Sequence, residues 1–446
     1  MEMTMDIIKH FKLPRILLIV FLSGLYMPAS GDELSDLKQQ LKTLMAKVEA
    51  LEEKRDTKQT EKTEIIPVED AVMVGQVPGT WKIPGTETSL GISGFVRAHM
   101  IYDIGPRPSS AGGDVASIHR ALLEDDPEYD IRGDVRLAGR DARFNIETYT
   151  PTNLGLMHIF MQTDFKGDPD NKASRATTNR TAANVRHAYA ELGNWLFGMT
   201  YSTYLDRTVF GDKVDPTGPQ GRTMIRQGQL RYTHHFDDNR EFAIAIENPH
   251  TDFVDADDEN SVDAYPDLAM HYRYETGQRM HQFSAMARRI GIKQELPVPA
   301  YDSVMSWGLN TSGYYWFPNG RNRLTWYLNF GDGIGRYLEA GRDQGASITE
   351  DGKLDTQFGY GGFVTFKHLW TDTLSSNVDF GFGLYDLNPE ETADANKRLL
   401  SSHVNLIWVP HDQLEFGLEY VWGKREVHDG RKGYVSRLMM NSIFNF

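Results

Sequence analysis

Five arginines stand where a two-residue alternation of apolar and polar side chains places them on the polar side: Arg97, Arg143, Arg231, Arg273 and Arg288. A guanidinium keeps its charge at physiological pH and meets a carboxylate with two parallel hydrogen bonds, so a row of them suits the capture and passage of small anions. Each can instead pair with a neighbouring Asp or Glu and only hold a wall together. As a set they favour the charge ring with which pores select. Arg186 and Arg226 fit the alternation poorly, because their faces also carry Ala188, Ala190, Leu192, Leu230 and Tyr232. Either a β-bulge re-aims them or they sit at a rim. Segment 206–221, with Gly211, Pro216, Gly218 and Pro219, reads as a loop folding inward to narrow a channel. Its Asp206, Arg207, Asp212, Lys213 and Asp215 give mixed charge that would screen as well as attract, and an ordinary external or subunit-contact loop is the alternative.

Other chemistry finds little footing. There is no cysteine, hence no thiol nucleophile, disulfide or zinc-thiolate site. The chain lacks a G-x-S-x-G elbow, an H-E-x-x-H helix and a P-loop, and its nearest approach to a dinucleotide fingerprint, Gly331-Asp332-Gly333-Ile334-Gly335-Arg336, breaks at the arginine. No cofactor or metal is expected. The acidic run Asp252, Asp255, Asp257, Asp258, Glu259 and Asp263 lacks the glycine and distant glutamate of a calcium loop, so it reads as a solvated loop, in contact at most with cations that bridge surface lipids. A formal charge of −15 argues against nucleic acid as a partner.

The elements that must position these arginines are short amphipathic strands. Leu90, Ile92, Val96, Ala98 and Met100 alternate with Ser93, Arg97, His99 and Asp103; Ala142, Phe144 and Ile146 with Arg143, Asn145 and Glu147; Val378, Phe380 and Phe382 with Asn377 and Asp379. Leu324, Trp326, Leu328 and Phe330 alternate in the same way with Thr325, Tyr327 and Asn329, as do Leu414, Phe416, Leu418, Tyr420 and Trp422 with Glu415, Gly417 and Glu419. A strand with one greasy and one polar face is what a sheet between lipid and water requires. About sixteen such strands can be marked from residue 89 to Phe446, each near the roughly ten residues a tilted membrane strand needs. Connections alternate long (104–133, 166–184, 206–221, 248–264, 338–356, 386–396) and short (151–155, 193–194, 276–279, 318–322, 371–374, 410–412), as external loops and periplasmic turns do. Trp195, Tyr204, Trp370 and Trp422 fall near strand ends and suit interfacial girdles. The expectation is an all-β transmembrane antiparallel barrel over 89–446.

The only long apolar run, 16–26, follows Lys9, Lys12 and Arg15 and precedes Ala29, Ser30 and Gly31, which reads as a cleaved signal peptide over 1–30. Leu34, Leu37, Leu41, Leu44, Val48 and Leu51 are spaced as a short heptad seam, read as a periplasmic coiled coil over 31–55 that associates when tethered to a trimeric barrel, or else as a lone amphipathic helix. Residues 56–88, charged and then proline-bearing, read as a linker.

Segments 195–206 (WLFGMTYSTYLD), 225–232 (IRQGQLRY), 331–337 (GDGIGRY), 368–377 (HLWTDTLSSN) and 415–430 (EFGLEYVWGKREVHDG) resemble the DcaP-type trimeric outer-membrane porins, across essentially all of the chain after the leader. The chain departs from their pattern at Gly228, where proline is expected. The resemblance implies a sixteen-stranded homotrimer in the bacterial outer membrane, in contact with its lipid and lipopolysaccharide, and passive uptake of small anionic solutes, dicarboxylates especially. A sugar or general-diffusion porin, a barrel lipid hydrolase and a non-conducting structural barrel are the alternatives.

Overall fold

The computed structural model describes residues 73–106, 115–167, 181–253, 260–294, 300–339, 341 and 343–446, with scattered positions between 39 and 50. The expected leader, the heptad positions Leu34 to Leu51, the linker before residue 73, and Asp255, Asp257, Asp258 and Glu259 lie outside the described residues. The chain divides into two units, Met1–Ala71 and Val72–Phe446. In the first, the described positions are helical and exposed, and the Thr43 hydroxyl donates to the Gln39 carbonyl at 2.9 Å.

The second unit is a closed sixteen-strand antiparallel barrel. It opens with β1 (Trp81–Lys82), which folds back on Ser89 and Leu90. The wall then runs through β2 (Ser89–Asp103), β3 (Val135–Ala138), β4 (Arg143–Thr152), β5 (Gly155–Gly167), β6 (Ala182–Leu192), β7 (Trp195–Tyr201), β8 (Arg226–Asp237), β9 (Arg240–Glu247) and β10 (Asp267–Glu275). It continues through β11 (Arg279–Gln294), β12 (Ala300–Trp316) and β13 (Asn322–Asp332); β14 (Ala346–Ile348) and β15 (Leu354–Thr356) pair only with each other within a loop. The circuit ends with β16 (Phe358–Leu369), β17 (Leu374–Asp386), β18 (Asn396–His411), β19 (Leu414–Val427) and β20 (Lys432–Asn445). β2 closes the ring, pairing with β20 on one edge and with β4 and β3 in succession on the other. β3 and β4 thus act as one wall strand, broken at residues 139–142.

Side-chain parity holds around the wall. On β17, Val378 and Phe380 are 48% and 46% exposed, whereas Asn377 and Asp379 between them are 1% and 2% exposed. A sheet that shows its apolar side outward and covers its polar side is stable only in a hydrocarbon surround. Phe380→Arg is therefore expected to cost about 2–4 kcal/mol of folding free energy in bilayers, as a cation at the hydrocarbon midplane does; urea titration of refolding into lipid vesicles measures it, and a lumenal substitution such as Ser375→Arg should cost less.

The connections depart from strict alternation at two places. β11 and β12, with 16 and 17 residues, are joined across residues 295–299, and β19 and β20 across four residues. The described residues of loop 1 (104–134), loop 3 (202–225) and loop 6 (333–357) fold inward, as do Thr251, Asp252 and Phe253 of the 248–266 connection. Ile118 and Ala121 of loop 1, Tyr204 and Val214 of loop 3, and Ile334, Tyr337 and Leu338 of loop 6 bury themselves against inward-facing Ile101, Leu399, Ile407, Val421, Val435 and Met439. These wall positions are apolar although they face the lumen, because a loop covers them; a fully buried side chain of this size contributes about 1.5–3 kcal/mol. Tyr204 is accordingly not a girdle residue: it has 0% exposure and its hydroxyl donates to Asn329 Oδ1 at 2.5 Å. Parity counted from strand ends cannot see that the chain turns inward after Tyr201. Trp195 and Trp370, by contrast, are exposed.

Candidate functional site: a cationic passage between loop 3 and the barrel wall

Loop 3 is tied to one side of the barrel. The amides of Val214 and Asp215 donate to the two carboxylate oxygens of Glu419 on β19 at 2.9 and 3.1 Å. His403 and Asn405 on β18 hold the same carboxylate at 3.0 Å each. Lys213 forms an ion pair with Asp379 on β17, the Gln220 amide donates to Ser401 Oγ at 2.9 Å, and Ser312 Oγ on β12 donates to Asp206 at 2.9 Å. Gly361 and Gly381, at inward positions of β16 and β17, leave a notch that the backbone of Gln220 and Gly221 occupies; a Cβ at Gly381 would lie 2.5 Å from the Gln220 carbonyl oxygen. Contacts from four strands thus fasten the loop, and the Glu419 carboxylate accepts from four donors at once.

The remaining space lies between the loop and the opposite wall, a cavity of about 370 Å³. The wall supplies Phe95 and Arg97 from β2, Asp141 from the break between β3 and β4, Arg143 from β4, Lys166 from β5, Arg186 from β6 and Arg226 from β8. The loop side supplies Arg207, Phe210, Asp212, Lys213, Asp215 and Arg222, with Glu339 from loop 6 and Glu415 from β19. Eight cationic side chains thus meet five carboxylates. Several cations are matched: Arg97 and Lys166 each reach Asp141 at 2.8 Å, Arg186 reaches Asp164 at 2.5 Å and Gln162 at 3.1 Å, and Arg222 pairs with Glu339. Arg143, Arg207 and Arg226 have no carboxylate within ion-pair distance among the described residues, and Arg143 Nε and Arg226 Nη1 meet no protein acceptor. Arg143 and Arg226 are half-buried and Arg207 is exposed; a cation without a counter-charge raises the local potential for any anion that enters, because the low-dielectric wall focuses its field.

Arg186 reaches the lumen through a β-bulge. In the β5–β6 ladder Gln162 pairs with His187 and Thr163 with Val185, so Arg186 is the extra residue and points inward beside His187. Arg226 is the first residue of β8, where the chain returns from loop 3 to the wall, and that position sets it on the cavity. Of the other arginines, Arg231 lies 3.7 Å from Glu191, and Arg273 spans Asp206 at 3.6 Å and Glu275 at 3.0 Å, tying β10 to the base of loop 3. Arg288 is fully covered by loop 6 and by the 248–266 connection: it donates to Asp252 at 2.9 Å and to the Gly333 carbonyl at 2.9 Å. Asp252 in turn accepts from the Arg336 amide at 2.6 Å. Within loop 3, Asp206 and Asp215 are buried, Asp212 accepts from Lys367 at 2.5 Å, and Arg207 faces the passage.

A profile of the DcaP outer membrane protein family matches residues 34–446. The chain belongs to that family. Among solved structures, the outer membrane channel DcaP of Acinetobacter baumannii superposes with a TM-score of 0.69 at 18% identity, over 80% of this chain and 97% of that one. The anion-selective porin from Comamonas acidovorans superposes at 0.52 with 11% identity, over 81% and 100%, and OmpT of Vibrio cholerae in its trimer form at 0.51 with 10% identity, over 80% and 99%. At such identities the likeness is one of fold. No curated protein matches the chain significantly. Within a DcaP family barrel the passage residues that strand parity did not single out are of two kinds. Lys166, Arg222, Glu339 and Asp141 sit in loops, at a strand end or in a strand break, where parity is silent. Phe95 lies on the inward face beside Arg97, and an aromatic at a polar-face position was a signal available in the sequence. The Glu419 and His403 clamp had no local signature, because its partners are about 200 residues apart in the chain.

Proposed function

We propose that this outer-membrane porin is a passive, anion-preferring channel for small carboxylates, dicarboxylates among them. The observation that carries the reading is the surplus of cations in the passage, and within it the three arginines that no carboxylate neutralises. An anion crossing here exchanges part of its hydration for guanidinium hydrogen bonds, and the spread of cations from β2 to β8 offers successive sites rather than one deep trap, which favours release as well as entry. A solute with two carboxylates can engage two of them at once. The anion selectivity of the Comamonas acidovorans neighbour is consistent with this direction.

The proposed unit is a homotrimer in outer-membrane lipid and lipopolysaccharide, with the termini in the periplasm, a leader removed near residue 30 and a coiled coil over 31–55. Support comes from the trimer form of the OmpT neighbour and from the low wall at β7 and β9, which have 7 and 8 residues, fewer than the roughly 9–11 that cross a bilayer. A neighbouring subunit, rather than lipid, suits that stretch.

Reversal potentials in planar bilayers under a salt gradient test the reading. The wild type should favour chloride over potassium, and replacing Arg143, Arg207 and Arg226 together with Ala should remove most of that preference. A wild type without ion preference would point to a general-diffusion pore, and the absence of conductance to a structural barrel.

A further inference from the structure

We propose that Phe95 and Phe210 are the positioning residues that keep the passage arginines aimed while leaving their charge free, an inference that rests on the anion-preferring reading above. Each phenylalanine ring carries two guanidiniums. Arg97 and Arg143 lie 4.8 and 5.3 Å from the centre of the Phe95 ring, and Arg207 and Arg222 lie 5.1 and 5.3 Å from that of Phe210. The two rings face the cavity from opposite sides, Phe95 on the wall and Phe210 on loop 3.

The β-ladder builds the first of these sites. Phe95 is the direct cross-strand partner of Arg143, and Arg97 is two residues further along the same face of β2, so both guanidiniums reach one ring. The second site is built within the loop, where Arg207 and Phe210 are three residues apart and Arg222 returns over the same ring.

The physical need for such rings follows from the charge balance. A long guanidinium side chain held by nothing loses its aim, and one held by a carboxylate loses most of its field. An aromatic face attracts the cation through its quadrupole but has no net charge, so it orients the guanidinium without neutralising it. The in-plane N–H groups remain available to an acceptor passing through the lumen. Two of the three arginines that lack a carboxylate, Arg143 and Arg207, are the ones supported in this way. An inward-facing Phe on a polar strand face, otherwise out of place in a water-filled bore, thereby has a role.

The test compares reversal potential and single-channel conductance of the full-length protein in planar bilayers for wild type, F95L/F210L and F95Y/F210Y. The leucine pair keeps the apolar bulk and removes the quadrupole; it should lower the chloride-to-potassium permeability ratio about two- to five-fold, the size expected from losing partly solvated cation–π contacts. The tyrosine pair should hold the wild-type ratio, and heat-modified gel mobility should be the same for all three. A selective wild type whose ratio is unmoved in the leucine pair overturns the inference and leaves the anion reading standing, as does a tyrosine pair that falls as far as the leucine pair. An unselective wild type retires the anion reading itself. If the double leucine variant does not insert, Phe210→Leu alone, which keeps apolar bulk against Tyr327 and Phe363 of the wall and leaves every strand residue unchanged, decides the matter by the same ratio.

Discussion

Replacing Gly221 with alanine is expected to drive loop 3 off the wall and to raise single-channel conductance severalfold, with the barrel still folded. Gly221 has a φ of +85°, a region that L side chains rarely adopt, and a Cβ there would lie 2.1 Å from the Phe382 carbonyl oxygen and 2.2 Å from the Gly362 nitrogen. Both obstacles are sheet backbone, which cannot yield without breaking ladder hydrogen bonds. The loop must therefore yield, and with it the close approach of Gln220 to Gly381. The clamp on Glu419, the Lys213–Asp379 ion pair and the Ser312–Asp206 hydrogen bond would then hold only the part of the loop before the displaced residues. Conductance steps measured beside heat-modified gel mobility separate an opened lumen from a misfolded barrel. Conductance equal to wild type, with normal mobility, would mean that loop 3 does not set the width.

The second large effect is expected at Arg288. With its side chain and that of Asp252 both 0% exposed, Arg288→Met leaves a buried carboxylate with two backbone amides and without its paired guanidinium, a loss of about 3–5 kcal/mol. The cost should appear as earlier unfolding in a urea titration, or as protease cleavage in loop 6 if that loop detaches first. Adding Asp252→Asn should recover part of it, because the neutral amide needs no cation. Ion preference should change little, since Arg288 is sealed behind loop 6 and away from the passage. A double variant no more stable than R288M would show that the ion pair is not the source of the loss.

The contrast between Arg143 and Arg288 shows what could be read from the chain. Both stand on the inward face by two-residue parity, and parity depends only on neighbours in one strand. Whether an inward arginine meets solute or is sealed under a loop depends on a connection folded back from elsewhere, here residues 333–357, and no local pattern specifies that. Ile101, Val421, Val435 and Met439 make the same point from the other side: they face the lumen yet are apolar, because loop 1 lies on them. The wall was legible since lipid imposes one rule on every strand, as at Val378 and Phe380. Arg186 resisted parity because a single extra residue reverses the phase of the strand beyond it. Gly361 and Gly381 fall at inward positions of adjacent strands and were a visible mark of a backbone resting there.

The break at residues 139–142 separates two demands that a continuous strand would set against each other. An unbroken ladder fixes each side chain at its own level along the barrel, so retuning the aperture would mean reshaping the hoop. Here Asp141 hangs from a short excursion outside the β2 ladder, held where the Phe165 amide donates to the Arg140 carbonyl at 3.1 Å, while β3 and β4 keep their pairing with β2, and the opposing jaw is a loop. The side chains that line the aperture can therefore be exchanged without disturbing the pairing that closes the hoop.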